Sequence, residues 1–242
     1  MRSNLFAPEN QETEYSQPGL RLQNSKMLKI ELAGECFARQ GSMVAYQGDV
    51  RFEAKGSGGI GKYFKQKLTG EGVPLMTLSG RGDVFLADAA SDVHLVDLEG
   101  GNDALSINGK NVLAFEPTLS YDIKMVSGAG SIGGAGLFNC VFSGQGRIAI
   151  TARGTPVVLN VDQPTYADPQ AAIAWSAGLS VGVHRAESFG LGTLMGRSTG
   201  ERLTLGFSGQ GFVVVQPSEE VPVDLVGGGG SGGQSGSGGL FG

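Results

Sequence analysis

One stretch of this sequence occurs three times. The segment VLAFEPTLSYDIK (112–124) aligns without a gap with MVAYQGDVRFEAK (43–55) and with AIAWSAGLSVGVH (172–184). Each segment contains an alanine followed by an aromatic residue: Ala45 and Tyr46, Ala114 and Phe115, and Ala174 and Trp175. Self-similarity in a fixed order predicts a body assembled from related units.

The second half of each segment alternates between apolar and polar residues. In the middle segment Leu119, Tyr121 and Ile123 alternate with Ser120 and Asp122. This period of two is typical of a half-buried β-strand. We therefore expect the three aromatic residues to be buried at equivalent positions. The three alanines face the opposite way, and their small size predicts that another part of the chain passes close over them.

A second shared block follows each segment. FKQKLTGEG (64–72), FNCVFSGQG (138–146) and LTLGFSGQG (203–211) each alternate and end in Gly-x-Gly, which predicts a strand followed by a sharp bend. We interpret residues 26–226 as one all-β body of three repeats. These are residues 27–104, 105–165 and 166–226, each a β-sandwich or barrel-like unit.

Two connections and two chain ends complete this division. EGGND (99–103) predicts a hairpin turn, and DQPTYADPQ (162–170), with two prolines, predicts a connection rather than a strand. Residues 1–25 are polar and predict a loose arm with room for one edge strand. Residues 227–242 are rich in glycine and serine and predict a disordered tail, whose Leu240 and Phe241 form either a docking motif or an unstructured end.

Composition narrows the classes of function. The net charge is -5, which disfavours a general binder of nucleic acid or anionic membranes. There are only two cysteines, the amino-terminal residues have no apolar signal region, and no apolar run reaches the length of a membrane span. These features predict a cytoplasmic protein without a membrane span, and they leave association with a membrane surface open.

Lysines are concentrated in one stretch, KGSGGIGKYFKQK (55–67). Lys55, Lys62, Lys65 and Lys67 surround two aromatic residues without an acidic residue among them. Lysines interleaved with aromatics are typical of sites for single-stranded nucleic acid. The alternative is a solvated strand face, because the shared block places Lys65 and Lys67 opposite the apolar positions.

The sequence contains no convincing catalytic, cofactor or metal motif. GAGSIG (128–133) has the spacing of a dinucleotide-binding loop, but a strand rather than a helix follows it. His94 lies near several aspartates without the spacing of metal ligands. We therefore expect no cofactor, no metal site and no enzymatic activity.

Taken together, these segments resemble a known family. LAFEPTLSYDIK, IAWSAGLSVGV, the two FSGQG segments and the ending FVVVQP resemble the family named for altered inheritance of mitochondria 24, a mitochondrial biogenesis family, over about residues 27–218. The resemblance implies an all-β body of related units with a fold like that of the tryptophan RNA-binding attenuation protein (TRAP-like). From the triplication itself we expect the three units to pack around a pseudo-threefold axis. It carries no catalytic residue across, and the RNA and tryptophan sites of the attenuation protein cannot be mapped onto a chain that joins three units covalently.

Two functions follow as hypotheses. The first is a non-enzymatic binding or scaffold protein, whose partner is an unidentified protein or another copy of the chain. The second is binding of RNA or single-stranded DNA through the lysines of residues 55–67.

Overall fold

The computed structural model describes residues 2–54, 73–126, 138–184 and 204–218. Every strand pairing in these ranges is antiparallel. The strands are β1 (Gly19–Asn24), β2 (Met27–Arg39), β3 (Met43–Ala54), β4 (Leu75–Leu86), β5 (Asp92–Asn108), β6 (Val112–Phe115), β7 (Leu119–Met125), β8 (Phe138–Ala152), β9 (Val157–Val161), β10 (Thr165–Ala167), β11 (Ala172–Ser176), β12 (Ser180–His184), β13 (Thr204–Ser208) and β14 (Gly211–Val215). Short 3-10 turns occur at Asn4–Phe6, Pro8–Asn10 and Gly109–Asn111.

The strands form one large sheet and one small sheet. The large sheet has the order β3-β4-β2-β6-β8-β5-β11-β14-β9, with β1 added beside β2 and β7 beside β8. The small sheet has the order β10-β13-β12. The prediction of an all-β fold is confirmed, and the large sheet is open rather than closed into a barrel.

The same pairing pattern occurs three times along the chain. Module 1 is β2 to β4, module 2 is β5 to β8, and module 3 is β9 to β14. In each module the last strand, or pair of strands, lies between the other two: β4 between β2 and β3, β8 between β5 and the β6–β7 pair, and β13–β14 between the β9–β10 and β11–β12 pairs.

A pair of glycines bends the central strand of each module. These glycines are Gly80 and Gly82, Gly144 and Gly146, and Gly209 and Gly211, all with positive φ angles between 99° and 157°. A Cβ atom at Gly82 would collide with the carbonyl oxygen of Gln47 on the neighbouring strand. Only glycine combines this backbone conformation with so close an approach.

This geometry corrects the alignment of the second shared block in the first repeat. The alignment placed Gly70 and Gly72 in the glycine column, and both lie outside the described residues. The structure places Gly80 and Gly82 of the sequence SGRG there, since β3 pairs with them as β7 pairs with Gly144. The error arose because FKQKLTGEG also alternates and also ends in Gly-x-Gly.

A β-bulge lies at the start of the middle strand in each module. The register shifts between Met43 and Ala45, between Val112 and Ala114, and between Ala172 and Ala174. A bulge bends its strand and increases the local twist. The three alanine-aromatic pairs therefore lie at the same place, directly after this bend.

Two junctions join the modules through strand pairing. At the first, Phe37 and Ala38 of β2 pair with Phe115 and Ala114 of β6. At the second, Ser106 and Ile107 of β5 pair with Trp175 and Ala174 of β11. Each junction thus joins the first strand of one module to the alanine-aromatic pair of the next.

Two predicted limits between repeats and one predicted connection differ from the structure. The predicted limit between residues 104 and 105 lies inside β5, because EGGND (99–103) forms a bulge within one long strand rather than a hairpin turn. The limit between residues 165 and 166 lies inside β10. The segment 162–170, predicted to be a connection, contains this short strand, because its two prolines flank Thr165–Ala167 without interrupting it.

Part of the amino-terminal arm is attached to the body. β1 pairs with β2, and the main-chain N–H of Tyr15 donates to the Glu31 carboxylate at 3.0 Å. The Lys29 ammonium donates to the Glu12 carboxylate and to the carbonyl oxygen of Thr13 at 2.8 and 2.9 Å. The edge strand for which the arm was predicted to have room is present as β1, whereas the arm from Glu12 onward is held against the body rather than loose.

Candidate interaction surface

The three aromatic residues occupy one column of the fold. Tyr46 lies opposite Val84, Phe115 opposite Ile148 and Trp175 opposite Val213, in each case two residues after the second glycine of the bent strand. Their equivalence follows from these registers together with the shared bulge. Their surroundings, however, differ in one respect.

Phe115 and Trp175 are buried, as predicted. Phe115 is 0% exposed, and its ring centroid lies 5.2 Å from that of Phe37, 5.0 Å from that of Tyr121 and 4.9 Å from that of Phe142. Trp175 is 2% exposed and packs edge-on against Phe207 at 5.6 Å. Both residues lie at junctions between modules, with a neighbouring strand on each side.

Tyr46 is 50% exposed, so the prediction that it is buried is wrong. Its ring makes an edge contact with Phe52 at 5.2 Å between centroids. In the described part of the chain, β3 pairs with β4 only, so no strand flanks the outer side of Tyr46. Tyr46 has the sequence position of a junction residue without the junction.

The three alanines follow the same division. Ala114 is fully buried between Ala38 of β2 and Ala149 of β8, and Ala174 is buried between Ile107 and Val214. Both alanines therefore have a paired strand on each side, while the close approach over their side chains stays a prediction. Ala45 pairs only with Phe85 and is exposed, so the prediction of a crowded position is wrong there.

The beginning of β3 exposes apolar residues. Met43 and Val44, which precede the alanine-aromatic pair, are both exposed, and Val44 is 54% exposed. We call Met43 to Tyr46 the β3 edge. An unpaired strand edge presents main-chain N–H and C=O groups to any strand that approaches it, and apolar side chains add to that attraction.

A second edge lies at the other end of the chain. Ala167 pairs with Leu205, which lies four residues before Gly209, as Ala38 and Ile107 pair with residues four before Gly80 and Gly144. Tyr166 and Ala167 therefore hold the position from which β2 and β5 reach the next module. Tyr166 is 55% exposed, and β10 pairs with β13 only among the described residues. We call Thr165 to Ala167 the β10 edge.

Sequence reasoning missed the β10 edge. The two prolines of the segment favoured a connection, and the strand between them has only three residues. The available signal was the order aromatic-alanine-charged, since Tyr166-Ala167-Asp168 matches Phe37-Ala38-Arg39.

A charged cluster lies on the other face of β3. Lys29 is only 2% exposed, and its ammonium lies within 4 Å of carboxylate oxygens of Glu12, Glu31 and Asp83. Hydrogen bonding and the charge of Lys29 lower the pKa of Glu12, whereas burial raises the pKa of Asp83. Burial alone would lower the pKa of Lys29. The hydrogen bond that its ammonium donates to Glu12 and the charge of Asp83 raise that pKa above its usual value. The cluster attaches the arm beside the β3 edge, where the Gln47 side-chain amide also donates to the Glu12 carboxylate at 3.3 Å.

The remaining candidate residues carry little chemistry. Lys55, Lys62, Lys65 and Lys67 lie outside the described residues, directly after the last residue of β3. His94 lies in β5, and no group of three His, Cys, Asp or Glu side chains suited to a metal occurs in the described ranges. Cys36 and Cys140 are buried free thiols, and burial raises the pKa of each to about 12, so neither is a ready nucleophile.

Comparison with known proteins places this architecture. The sequence model of the family described as mitochondrial biogenesis AIM24 matches residues 20–218, which run from the second residue of β1 to beyond the end of β14. The chain belongs to the mitochondrial biogenesis AIM24 family. The resemblance noted in the sequence is thereby confirmed, and both edges of this AIM24-family protein lie within the matched region.

Other comparisons bear on the fold. The crystal structure of protein SPYM3_0169 from Streptococcus pyogenes, a structural genomics target, superposes with a TM-score of 0.63 and 21% sequence identity. The match covers 88% of this chain and 96% of that one. At this identity the similarity supports the fold alone. No curated protein sequence gives a significant match.

Membrane-spanning helices were also sought. Across the ranges that the structure describes, no helix has the length and apolar character needed to cross a bilayer.

Proposed function

We propose that this AIM24-family protein is a non-enzymatic binding or scaffold protein that engages another polypeptide through the β3 edge. One observation carries the proposal: Tyr46 is half exposed, although the two residues equivalent to it are buried beneath a neighbouring strand. The β3 edge therefore has the alanine-aromatic pair found at the two junctions. Among the described residues, it has no counterpart of the strands β2 and β5 that pair with the other two alanine-aromatic pairs.

The mode of binding follows from the two formed junctions. In both, the incoming strand is antiparallel and sets its residues directly opposite the alanine-aromatic pair. Binding by strand addition uses main-chain hydrogen bonds for affinity and alternate side chains for selectivity. At the first junction Ala38 lies opposite the alanine and Phe37 opposite the aromatic residue, and at the second Ile107 and Ser106 take these places. We expect the β3 edge to bind an antiparallel strand that resembles the first of these, with a small residue opposite Ala45 and an apolar residue opposite Tyr46.

A photo-crosslinking amino acid at position 46 tests the proposal. With that residue in place of Tyr46, we expect irradiation to join the chain to one defined polypeptide. The same residue in place of Met125, which is also exposed but lies on neither edge, serves as the control. Equal labelling from both positions, or no product from position 46, would contradict binding through the β3 edge.

A third junction bears on the arrangement predicted from the sequence. Pairing of the β10 edge with the β3 edge would complete a pseudo-threefold set of modules, and the described residues form only the other two junctions. The cytoplasmic location and the absence of enzymatic activity stay predictions. A substrate screen of the purified protein addresses the latter.

Nucleic-acid binding is the second candidate. Its support is positional in the sequence alone, since the lysine segment 55–67 directly follows the last residue of β3. A gel-shift titration with single-stranded RNA at low and moderate salt tests it. Each lysine–phosphate contact releases a counterion from the RNA, so the affinity should fall steeply as salt rises. Replacing Lys55, Lys62, Lys65 and Lys67 with Gln should abolish binding, and no shift at low salt would exclude this function.

A further inference from the structure

Two edges of this chain are complementary to each other. The β3 edge presents an alanine-aromatic pair that accepts a strand. The β10 edge presents Tyr166 and Ala167 at the positions from which module 1 supplies Phe37 and Ala38 and module 2 supplies Ser106 and Ile107. The chain builds this contact twice between its own modules. Among the described residues, one acceptor in module 1 and one donor in module 3 have no partner strand.

We infer that the β10 edge of one chain pairs with the β3 edge of a second copy, a partner choice that rests on the proposed function of the β3 edge. The expected register follows from the formed junctions. Ala38 lies opposite Ala114, and Phe37 lies opposite Phe115, so Ala167 should lie opposite Ala45 of the second chain and Tyr166 opposite its Tyr46.

The exposed surface favours this occupant over an unrelated strand. Tyr46 and Tyr166 are 50% and 55% exposed, and in this register they become neighbours, as Phe37 and Phe115 are at 5.2 Å between ring centroids. Aromatic pairs directly opposite one another across antiparallel strands stabilise the pairing. One contact thus covers both exposed tyrosines, which an unrelated strand on the β3 edge would not do.

Within the described part of one chain, no strand pairing joins the two edges. β3 lies at one end of the large sheet, and β10 lies in the small sheet of module 3, without a pairing between them in the described ranges. The contact with a second chain joins two different surfaces, so it leaves one acceptor and one donor free at the ends of every pair. Such head-to-tail contacts extend into a ring or a filament.

Single substitutions separate donor from acceptor. Tyr46→Lys should disable the acceptor and Tyr166→Lys the donor, so each variant alone should sediment as a single chain, whereas the wild type should gain mass with concentration. An equimolar mixture should form a two-chain complex and nothing larger, because Tyr46→Lys retains its donor and Tyr166→Lys its acceptor. Met125→Lys, which removes an equally exposed apolar side chain elsewhere, should associate like the wild type. A single cooperative thermal transition for each variant, at concentrations where the wild type is a single chain, checks that both fold.

Paired cysteines test the register and the competing closure within one chain. Directly opposite residues of antiparallel strands lie about 4.5–5.5 Å apart between Cα atoms, within the range that a disulfide spans. Ala45→Cys mixed with Ala167→Cys should form a disulfide between chains, and Ala45→Cys mixed with Met125→Cys should not.

Three results would overturn the inference. These are a wild type that stays a single chain at every concentration, a mixture of the two lysine variants that stays single chains, and a disulfide within one chain in the double variant A45C/A167C. If the wild type stays a single chain while a crosslinker at position 46 captures another protein, this inference fails and the proposed function of the β3 edge stands.

Discussion

Truncation of Phe115 should destabilise the protein severely. The ring is 0% exposed and contacts three other aromatic rings, so Phe115→Ala leaves a cavity as well as losing the transfer free energy of the ring. Such truncations lower the free energy of unfolding by about 3 to 5 kcal/mol. For a chain of this length each kcal/mol lowers Tm by roughly 2 to 4 °C, which gives a fall of about 6 to 20 °C.

The same truncation at Tyr46 should have a much smaller effect. Half of that side chain is already exposed, and its described ring contact is with Phe52 alone. Half of the roughly 1.5 to 3 kcal/mol for burying a large apolar side chain, plus part of one aromatic contact, gives about 1 to 2 kcal/mol. Trp175→Ala, at a position 2% exposed, should resemble Phe115→Ala.

Urea unfolding followed by circular dichroism measures all three changes. The variants are compared in the Tyr166→Lys background, so that self-association does not add to the stability of the Tyr46 position. If Tyr46→Ala lowers the free energy of unfolding as much as Phe115→Ala does, the β3 edge is covered in the single chain, and the assignment of Tyr46 as an open junction residue is refuted.

Three further outcomes are expected. Ala114→Leu should overpack the position between its two neighbouring strands and destabilise by roughly 1 to 3 kcal/mol, whereas Ala45→Leu, at the exposed equivalent, should leave Tm unchanged. Gly82→Ala should destabilise by about 2 kcal/mol or more in a urea titration, because its φ of +151° disfavours a side chain and its Cβ would meet main-chain atoms. The bond between Glu12 and Lys29 should hold the arm at neutral pH and release it on acidification. Because the pKa of Glu12 is lowered in the folded state, this stabilisation is complete above the usual glutamate value of about 4 and is lost as the pH falls through the lowered value. Hydrogen exchange of the arm at two pH values measures the release.

The sequence predicted the strand class and most of the buried column. Alternation around Leu119 and Tyr121 marked a strand correctly, because period two reports which face of a strand is buried. The alignment also placed Phe115 and Trp175 in the core. These predictions depended on local pattern, which the tertiary structure preserved.

Other features depended on neighbours that are distant in sequence. Tyr46 has the same local pattern as Phe115, and it differs only because no strand equivalent to β2 lies beside it among the described residues. Likewise, EGGND (99–103) has the composition of a turn, but β8 pairs with β5 on both sides of it and holds it as a bulge. Burial at a strand edge is a property of the neighbour, which a single segment does not encode.

The candidate site was predictable in part. The β3 edge was within the repeated segment, although its exposure was not anticipated. Tyr166 and Ala167 were passed over because Pro164 and Pro169 disfavour a long strand, and a strand of three residues carries too few positions for alternation to be recognised.

The order of the modules also has a kinetic consequence. Each junction joins modules that are consecutive in the chain, through residues such as Ala38 and Ala114 or Ile107 and Ala174. The ribosome therefore synthesises the modules in the order in which they pair. β2 of module 1 can pair with β6 as soon as module 2 leaves the ribosome. During synthesis the most recently made module carries the unpaired donor strand. β3, which is made before modules 2 and 3, is an unpaired acceptor strand for the whole of that time. A nascent chain is thus exposed to strand capture at module 1 long before β10 has been made.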